Sequence, residues 1–325
     1  MAKSEFIIKK NLQVAKPLCD FLEMEALPGS GVDPNAFWEG FSNLVRTYGP
    51  INKKLLEKRA FLQKQISAWH QKQNGKKIDL FEYQSFLGNI GYLLPEKDDF
   101  EIETANVDPE IGVVPGPQLV VPITNARYTI NAVNARWGSL YDAVYGSDVL
   151  GDTPNSSTYS PERGARVVAF SKAHLDKFAP LVDCNWSRVH KIFIVDNSLS
   201  LSSGDKKVEL VDQSQFVGYR SNSSGVLTEL VLVKNRLHCR IIIDANHIIG
   251  KGDQANICDV QIEAAVTTIV DCEDSVATVD AEDKVLAYRN WLGLMKGNLS
   301  ASFNKAGSTV NRNLNSDIEI ITPTG

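Results

Sequence analysis

EAAVTTIVDCEDSVATVDAEDKVLAYRNWLGLMKGNL, residues 263–299, carries the decision about the fold. Within it, Thr267-Thr268-Ile269-Val270 is a short apolar run of the length a buried strand needs. The run passes directly into Asp271-Cys272-Glu273-Asp274-Ser275. A helical pattern follows from about Ala281 to Met295, with Val285, Leu286, Trp291, Leu292 and Met295 apolar and Gly297 placed as its C-terminal cap. Gln118-Leu119-Val120-Val121-Pro122-Ile123 is a second run of the same kind, read as a strand buried on both faces as in a parallel sheet or barrel core. Asn125 to Tyr145, which follows it, is rich in Asn, Arg and aromatic residues.

In a barrel of parallel strands the working residues sit at the carboxyl ends of the strands, and the acidic run 271–275 occupies such a position. If strand geometry persists, alternation puts Asp271, Glu273 and Ser275 on one side and Cys272 and Asp274 on the other. Converging carboxylates stay ionised only beside a cation, a basic side chain or several donors, and Mg²⁺ answers that need directly or through water. The alternative is that these acids cap the following helix and face solvent. A second feature is Asn125-Ala126-Arg127-Tyr128 with Asn134-Ala135-Arg136-Trp137-Gly138-Ser139-Leu140-Tyr141. Arginines beside aromatics suit a nucleotide phosphate and base, and they equally suit interior packing with carboxylate partners.

Outward from these segments, the first ninety residues read as helices. Asp33-Pro34 opens one that carries Phe37, Phe41, Leu44 and Val45 and is expected to end at Gly49-Pro50. A second runs from near Ile51, with Leu55, Leu56, Leu62, Ile66 and Trp69, to Asn74-Gly75, and a third spans about Leu80 to Ile90. Pro95 to Pro117 reads as a linker or wrapping loop. Val167-Val168-Ala169-Phe170, Ile192 to Val195, Phe216 to Tyr219, Leu227 to Val233 and Arg240 to Asp244 read as strands, with one helix over Ser171 to Phe178, in a sheet-rich α+β module. Gly250-Lys251-Gly252 lacks the rest of a phosphate-loop pattern and reads as a surface turn.

Composition narrows the function classes. The 325 residues are 43% apolar and 22% charged, and 34 Lys+Arg against 39 Asp+Glu give a net charge of -5, so no chain-wide field attracts nucleic acid. Mean hydropathy is -0.16, and no apolar run reaches the roughly 18 residues of a membrane helix. The start Met1-Ala2-Lys3-Ser4-Glu5 lacks a signal-peptide core, so a cytoplasmic location is expected. Cys19, Cys184, Cys239, Cys258 and Cys272 are widely spaced without a C-x-x-C pair, as reduced thiols would be.

Taken together, GYLLPE (91–96), NVDPEIG (106–112), GPQLVVPITNARYTINAVNARWGSLYDAVYGSD (116–148), QFVGYR (215–220), residues 263–299 and NRNLN (311–315) resemble malate synthase of the long single-chain form, malate synthase G, in order along essentially the whole chain. The resemblance implies an α/β protein built as an incomplete TIM (β/α)8 barrel with an N-terminal α-helical clasp and an inserted α+β module. The clasp would occupy residues 1–92, the linker and first barrel strand 93–134, the insert 135–262, a barrel strand-loop-helix 263–297, and a return segment of the insert 298–325. It implies Mg²⁺-dependent Claisen condensation of acetyl-CoA with glyoxylate, releasing malate and CoA, by a protein that is monomeric at full length. Acetyl-CoA contacts would fall on Val120, Arg127, Tyr128, Ser275 and Arg312, with Asp271 and Glu273 in water-mediated or indirect contact with Mg²⁺. A complete barrel needs about 250 residues. The resemblance also implies that the catalytic base, the glyoxylate-binding arginine and the direct metal ligands fall beyond Gly325, so an amino-terminal fragment inactive on its own is expected. A non-catalytic binding or scaffolding protein that keeps part of a CoA site is the rival reading.

Overall fold

The computed structural model describes residues 5–154, 158–305 and 307–325; Met1–Ser4 of the start read as lacking a signal-peptide core lie outside them. The chain divides into two compact units, Met1–Ala105 with Thr278–Leu286, and Asn106–Ala277 with Ala287–Gly325.

The first unit opens with a hairpin of β1 (Phe6–Lys9) and β2 (Leu12–Ala15). It continues through α1 (Lys16–Phe21), a π-helical turn Leu22–Ala26, α2 (Pro34–Lys72) and α3 (Leu80–Asn89). A small core of Val14, Cys19 and Trp38 closes over the hairpin, and the Trp38 indole N–H donates to Glu23 at 2.8 Å. Asp33 caps α2 as its sequence requires, accepting from the Ala36 N–H at 2.9 Å. The expected break at Gly49-Pro50 does not occur, because α2 runs unbroken for 39 residues. Proline removes one N–H and crowds the Arg46 carbonyl, a cost of about 3 kcal/mol. Helix-favouring residues dominate from Lys53 to Gln65 beyond the pair, and α2 runs through it, so Gly49-Pro50 is accommodated within the helix rather than ending it. Near its end, Trp69 stacks on Phe86 of α3 with ring centroids 5.6 Å apart.

The second unit contains α4 (Pro109–Gly112), β3 (Gln118–Pro122), α5 (Ala126–Asn134), β4 (Trp137–Ser139), α6 (Leu140–Gly146) and α7 (Pro161–Phe178). Strands β5 (Lys191–Val195), β6 (Ser198–Ser203), β7 (Lys206–Val208), β8 (Phe216–Ser221), β9 (Leu227–Lys234), β10 (Leu237–Ile243), β11 (Ile257–Glu263) and β12 (Thr267–Asp271) follow. Helix α8 spans Ala281–Met295, and β13 (Ser300–Lys305) and β14 (Ser308–Asn313) form a hairpin. The antiparallel sheet has the order β4-β11-β10-β9-β8, and β5-β6-β7 form a second, smaller sheet. Leu175, Trp186, Leu230, Leu232, Ile241, Ile257 and Val260 are the fully buried centre of the core that joins them. The Trp186 indole N–H is satisfied there by the Ala179 carbonyl at 2.7 Å.

Val167 to Phe170, expected as a strand, lies inside α7. The decisive signal was Ser160-Pro161: Ser160 accepts from the Arg163 N–H and proline takes the first helical position, so the helix starts ten residues before Ser171. Val167, Ser171 and Leu175 then fall at helical spacing and are buried, a period of four rather than two. Among the described residues no helix is long and apolar enough to cross a membrane.

Candidate functional site

The expected strands at 118–123 and 267–270 are neighbours. β3 and β12 pair in parallel, with Val120 opposite Ile269 and Pro122 opposite Asp271, and the Ile123 N–H reaches the Asp271 carbonyl at 3.1 Å. Among the described residues these two strands form a sheet of their own. They are not buried on both faces as expected: Val121 and Ile123 are buried, whereas Val120 is 66% and Ile269 50% exposed. Alternation therefore holds, and one face of the pair packs inward while the other stays open. Both strands run the same way, so the residues after Pro122 and after Asp271 emerge side by side.

After β3, Asn125 caps α5 by accepting from the Tyr128 N–H at 3.1 Å, which fixes Arg127 and Tyr128 in the first turn, both exposed. The far end of α5 is tied to the hairpin: the Asn134 side-chain amide donates to the Asn313 carbonyl at 2.9 Å and accepts from the Asn315 N–H at 2.8 Å. The Arg127 guanidinium lies over the Phe303 ring, 3.9 Å from its centroid. Phe303 pairs with Val310 and Ala301 with Arg312, so Phe303 and Arg312 project from the same face of the hairpin. The structure thus sets Arg127 and Arg312 over one surface. Asn290 of α8 is buried and donates to the Ile123 carbonyl at 2.9 Å, steadying the end of β3.

The acidic loop differs from both sequence readings. The strand stops at Asp271, and its carboxylate folds back on the following chain, one oxygen accepting from the Glu273 N–H at 2.8 Å and the other from the Ser275 N–H at 2.7 Å. The Ser275 hydroxyl and these amides hold the Asp271 carboxyl down at about 2. Alternation does not persist past Asp271, because an Asx turn replaces the strand, so Asp271, Glu273 and Ser275 do not form one row. Nor do these acids cap α8: that role belongs to Asp280, which accepts from the Asp283 N–H at 3.0 Å. Asp271 builds the turn that presents Ser275, and Glu273 is exposed.

Among the described residues no group of three His, Cys, Asp or Glu side chains is placed to hold a metal ion. Each Asp271 oxygen already accepts one backbone N–H, so a metal ion would compete with these donors for the carboxylate.

Arg136 is half-buried and held by carboxylates. Its guanidinium donates to Glu263 at 2.7 Å, to the Val266 carbonyl at 3.3 Å and to Glu110 at 3.4 Å, so the carboxylate-paired alternative holds for it. The Glu263 carboxylate is buried. Burial alone would push it up, but the His238 side chain and N–H and the Arg136 guanidinium together hold it at about 2. A carboxyl depressed in the folded state stabilises fully above its ordinary value of 4.5, and that contribution is lost as pH falls from there toward 2. Thermal melts between pH 6 and pH 3 are expected to show this loss, of order 2 kcal/mol. Glu263→Gln should be destabilised at neutral pH and flatter across the acid range; a mutant slope equal to that of the unmodified chain would exclude Glu263 as the source.

Phe303 and Asn290 were not legible in sequence as parts of this site, since each meets a partner that lies before strands β4 to β12 in the chain, with no local pattern to announce it. The one available signal was the placement of Asn290 on the apolar stripe of α8, where a buried amide needs a partner.

Known proteins match this chain along most of its length. The family model described as malate synthase, N-terminal domain, matches residues 18–77, and that described as malate synthase G, alpha-beta insertion domain, matches residues 159–234. A malate synthase G of Halalkalibacterium halodurans is 50% identical over 320 residues, covering 97% of this chain and 44% of that protein. The malate synthase G of Corynebacterium efficiens is 42% identical over 99% of this chain and 43% of its own length. That of Corynebacterium glutamicum is 43% identical over 94% of this chain and 42% of its own. The chain therefore spans under half the length of these relatives.

Proposed function

Because the chain is a homologue of malate synthase G over an amino-terminal portion of it, we propose that it supplies the acetyl-CoA-holding part of an enzyme that condenses acetyl-CoA with glyoxylate and releases malate and CoA. In this reading β3 and β12 are two adjacent strands of a TIM barrel, residues 1–92 are the clasp, 135–262 the inserted module, and 298–325 its return segment. The single observation that carries the proposal is that Arg127, in the first turn after the carboxyl end of β3, lies over Phe303, which shares a hairpin face with Arg312. Substrate sites of open and closed parallel sheets gather at those ends.

Each side chain then has a task. Arg127 and Arg312 hold phosphate groups of CoA, with the bidentate donor geometry that phosphate favours. Exposed Val120 and the Tyr128 ring offer apolar contact, and Ser275, fixed by the Asp271 turn, offers a hydroxyl or an amide edge. The condensation needs a base for the methyl proton and donors for the enolate oxygen. In this proposal neither comes from residues 1–325. Mg²⁺, when bound, would polarise the aldehyde, with Asp271 and Glu273 acting on it through water and the direct ligands lying elsewhere.

Calorimetric titration of acetyl-CoA into this chain is the test. Binding is expected, weakened roughly 10- to 100-fold by Arg127→Ala or Arg312→Ala, since a hydrogen bond to a charged group is worth about 1.5–3 kcal/mol. It should also weaken with added salt, and free CoA should not appear when glyoxylate is supplied. No measurable binding, or an unchanged affinity in both variants, would refute the assignment of these residues.

A further inference from the structure

The smaller sheet, β5-β6-β7, ends at β5. Asp196 and Asn197, with φ of 46° and 58°, make the two-residue turn between β5 and β6, and both positive angles mark it as type I′. In such a hairpin the flanking residues, Val195 and Ser198, exchange both main-chain hydrogen bonds. Alternation then assigns Phe193 with Ser200 and Lys191 with Ser202 to the same class. Lys191, Phe193 and Val195 therefore direct their N–H and C=O groups to β6, whereas those of Ile192 and Ile194 point away from it. Among the described residues nothing hydrogen-bonds to these outward groups.

That edge lines a groove of about 800 Å³, whose other wall comes from Tyr219, Val226, Leu227 and Ile321. The size is that of a ligand-binding cleft. The Tyr219 hydroxyl donates to the Asn197 side chain at 2.9 Å, so the two walls are tied together at the turn. Ile192 and Ile194 pack against the core, while Phe193 is 41% and Val195 50% exposed on the other face.

The neighbouring edges are blunted and this one is not. β8, an edge of the larger sheet, is covered where Tyr219 and Ile321 exchange N–H to C=O bonds at 3.0 and 2.9 Å. β7, on the far side of the smaller sheet, is three residues long and carries Lys206 and Lys207. Short, lysine-bearing and covered edges are the devices by which proteins keep strands from pairing. β5 reads Lys-Ile-Phe-Ile-Val over residues 191–195, with neither a proline nor an inward charge. An apolar edge of this kind, set in a groove, is the form that recognises an extended polypeptide by strand addition. Lys191 at one end and Asp196 at the other, neither in an ion pair among the described residues, give the edge a polarity.

We propose that the groove beside β5 binds an extended segment of a second protein, added antiparallel to β5, apolar at alternate positions, with a basic residue beside Asp196 and an acidic residue beside Lys191. Antiparallel addition uses the N–H and C=O groups of both Ile192 and Ile194 in exchanging pairs. Residues of the segment opposite these two share their face of the sheet and meet the apolar lining that includes Leu227 and Ile243. The proposal goes beyond the acetyl-CoA reading and uses none of its residues.

The probe is the peptide Ac-KTVTVTE-NH2, titrated into the chain at pH 7 and followed by calorimetry and amide hydrogen exchange. Its valines fall opposite Ile194 and Ile192 when its lysine lies beside Asp196. A dissociation constant of order 100 µM or tighter is expected, with new protection at the Ile192 and Ile194 amides and little change at Phe193, which already bonds to β6. Methylating both valine nitrogens should weaken binding at least about tenfold, since each loses a main-chain donor. The charge-reversed peptide Ac-ETVTVTK-NH2 should bind about three- to tenfold more weakly at low salt, and Lys191→Glu, at an exposed position, should erase that preference. No binding of the parent peptide, equal affinity for the methylated one, tighter binding of the charge-reversed one, or an unaltered preference in Lys191→Glu would each overturn the assignment. So would protection of the Ile192 and Ile194 amides that rises with protein concentration in the absence of peptide, because a second copy of the chain would then be the occupant.

Discussion

Lys172→Ala is expected to destabilise the second unit by about 3–5 kcal/mol, the range for removing one partner of a buried ion pair. Lys172 and Asp253 pair with side-chain exposures of 7% and 4%, tying α7 to the loop between β10 and β11. Asp253 is bound on its other side as well, where one oxygen accepts from the Ala255 N–H at 2.9 Å and the Ile257 N–H at 3.1 Å. Loss of the ammonium leaves that carboxylate buried with backbone donors alone, which is the expensive half of the exchange. Chemical denaturation should report the loss, and the melting temperature should fall by roughly 10 °C. Lys172→Met with Asp253→Asn should recover part of it, because the buried charge goes with its partner. A single-mutant loss under about 1 kcal/mol would mean that the pair behaves like an exposed one.

Gly250→Ala acts on the same loop and should cost about 3 kcal/mol, at the upper end of overpacking penalties. A Cβ at that position would stand 2.0 Å from the Asp244 carbonyl oxygen and 3.1 Å from that of Asn256. Both obstacles are main chain, and the two residues are joined across the loop by an Asp244 N–H to Asn256 carbonyl bond at 3.0 Å. Neither can move without opening that closure. Gly252→Ala, two residues on, meets nothing within 4 Å and should stay within about 0.5 kcal/mol of the unmodified chain. Equal effects of the two substitutions would show that the loop yields at Gly250. The Gly-Lys-Gly segment read as a plain surface turn is therefore a turn with a buried first residue, shaped by backbone packing.

Much of the scaffold was legible because its signals are local. Ala281–Met295 announced itself through period and a C-terminal glycine, and the strand at Thr267–Asp271 through its short apolar run. Where local signals compete, the reading failed: valines at 167 and 168 suggested a strand, but the Ser160-Pro161 start set the helix before them. Gly49-Pro50 failed the other way, since the steric bias against helix before a proline is a cost rather than a prohibition, and α2 runs through it. Of the residues proposed for the site, Arg127, Tyr128 and Asp271 stood out by residue pattern, while the contacts assigned to them and to Val120, Ser275 and Arg312 came from resemblance. The turn made by Asp271 was not legible, because whether a carboxylate ends a strand by capturing its own backbone depends on what lies opposite the strand.

The stacking of Arg127 on Phe303 has a consequence for kinetics. A long side chain in water sacrifices rotameric freedom when it seizes an anion, and that sacrifice reduces the net affinity. Here the ring has already restrained the guanidinium, while its N–H edge makes no hydrogen bond or ion pair among the described residues. In the proposed role, an incoming phosphate would meet a cation that has completed most of its ordering beforehand. Phe303→Leu should therefore leave the contact chemically intact yet quicken ligand departure, a change in residence time rather than in recognition.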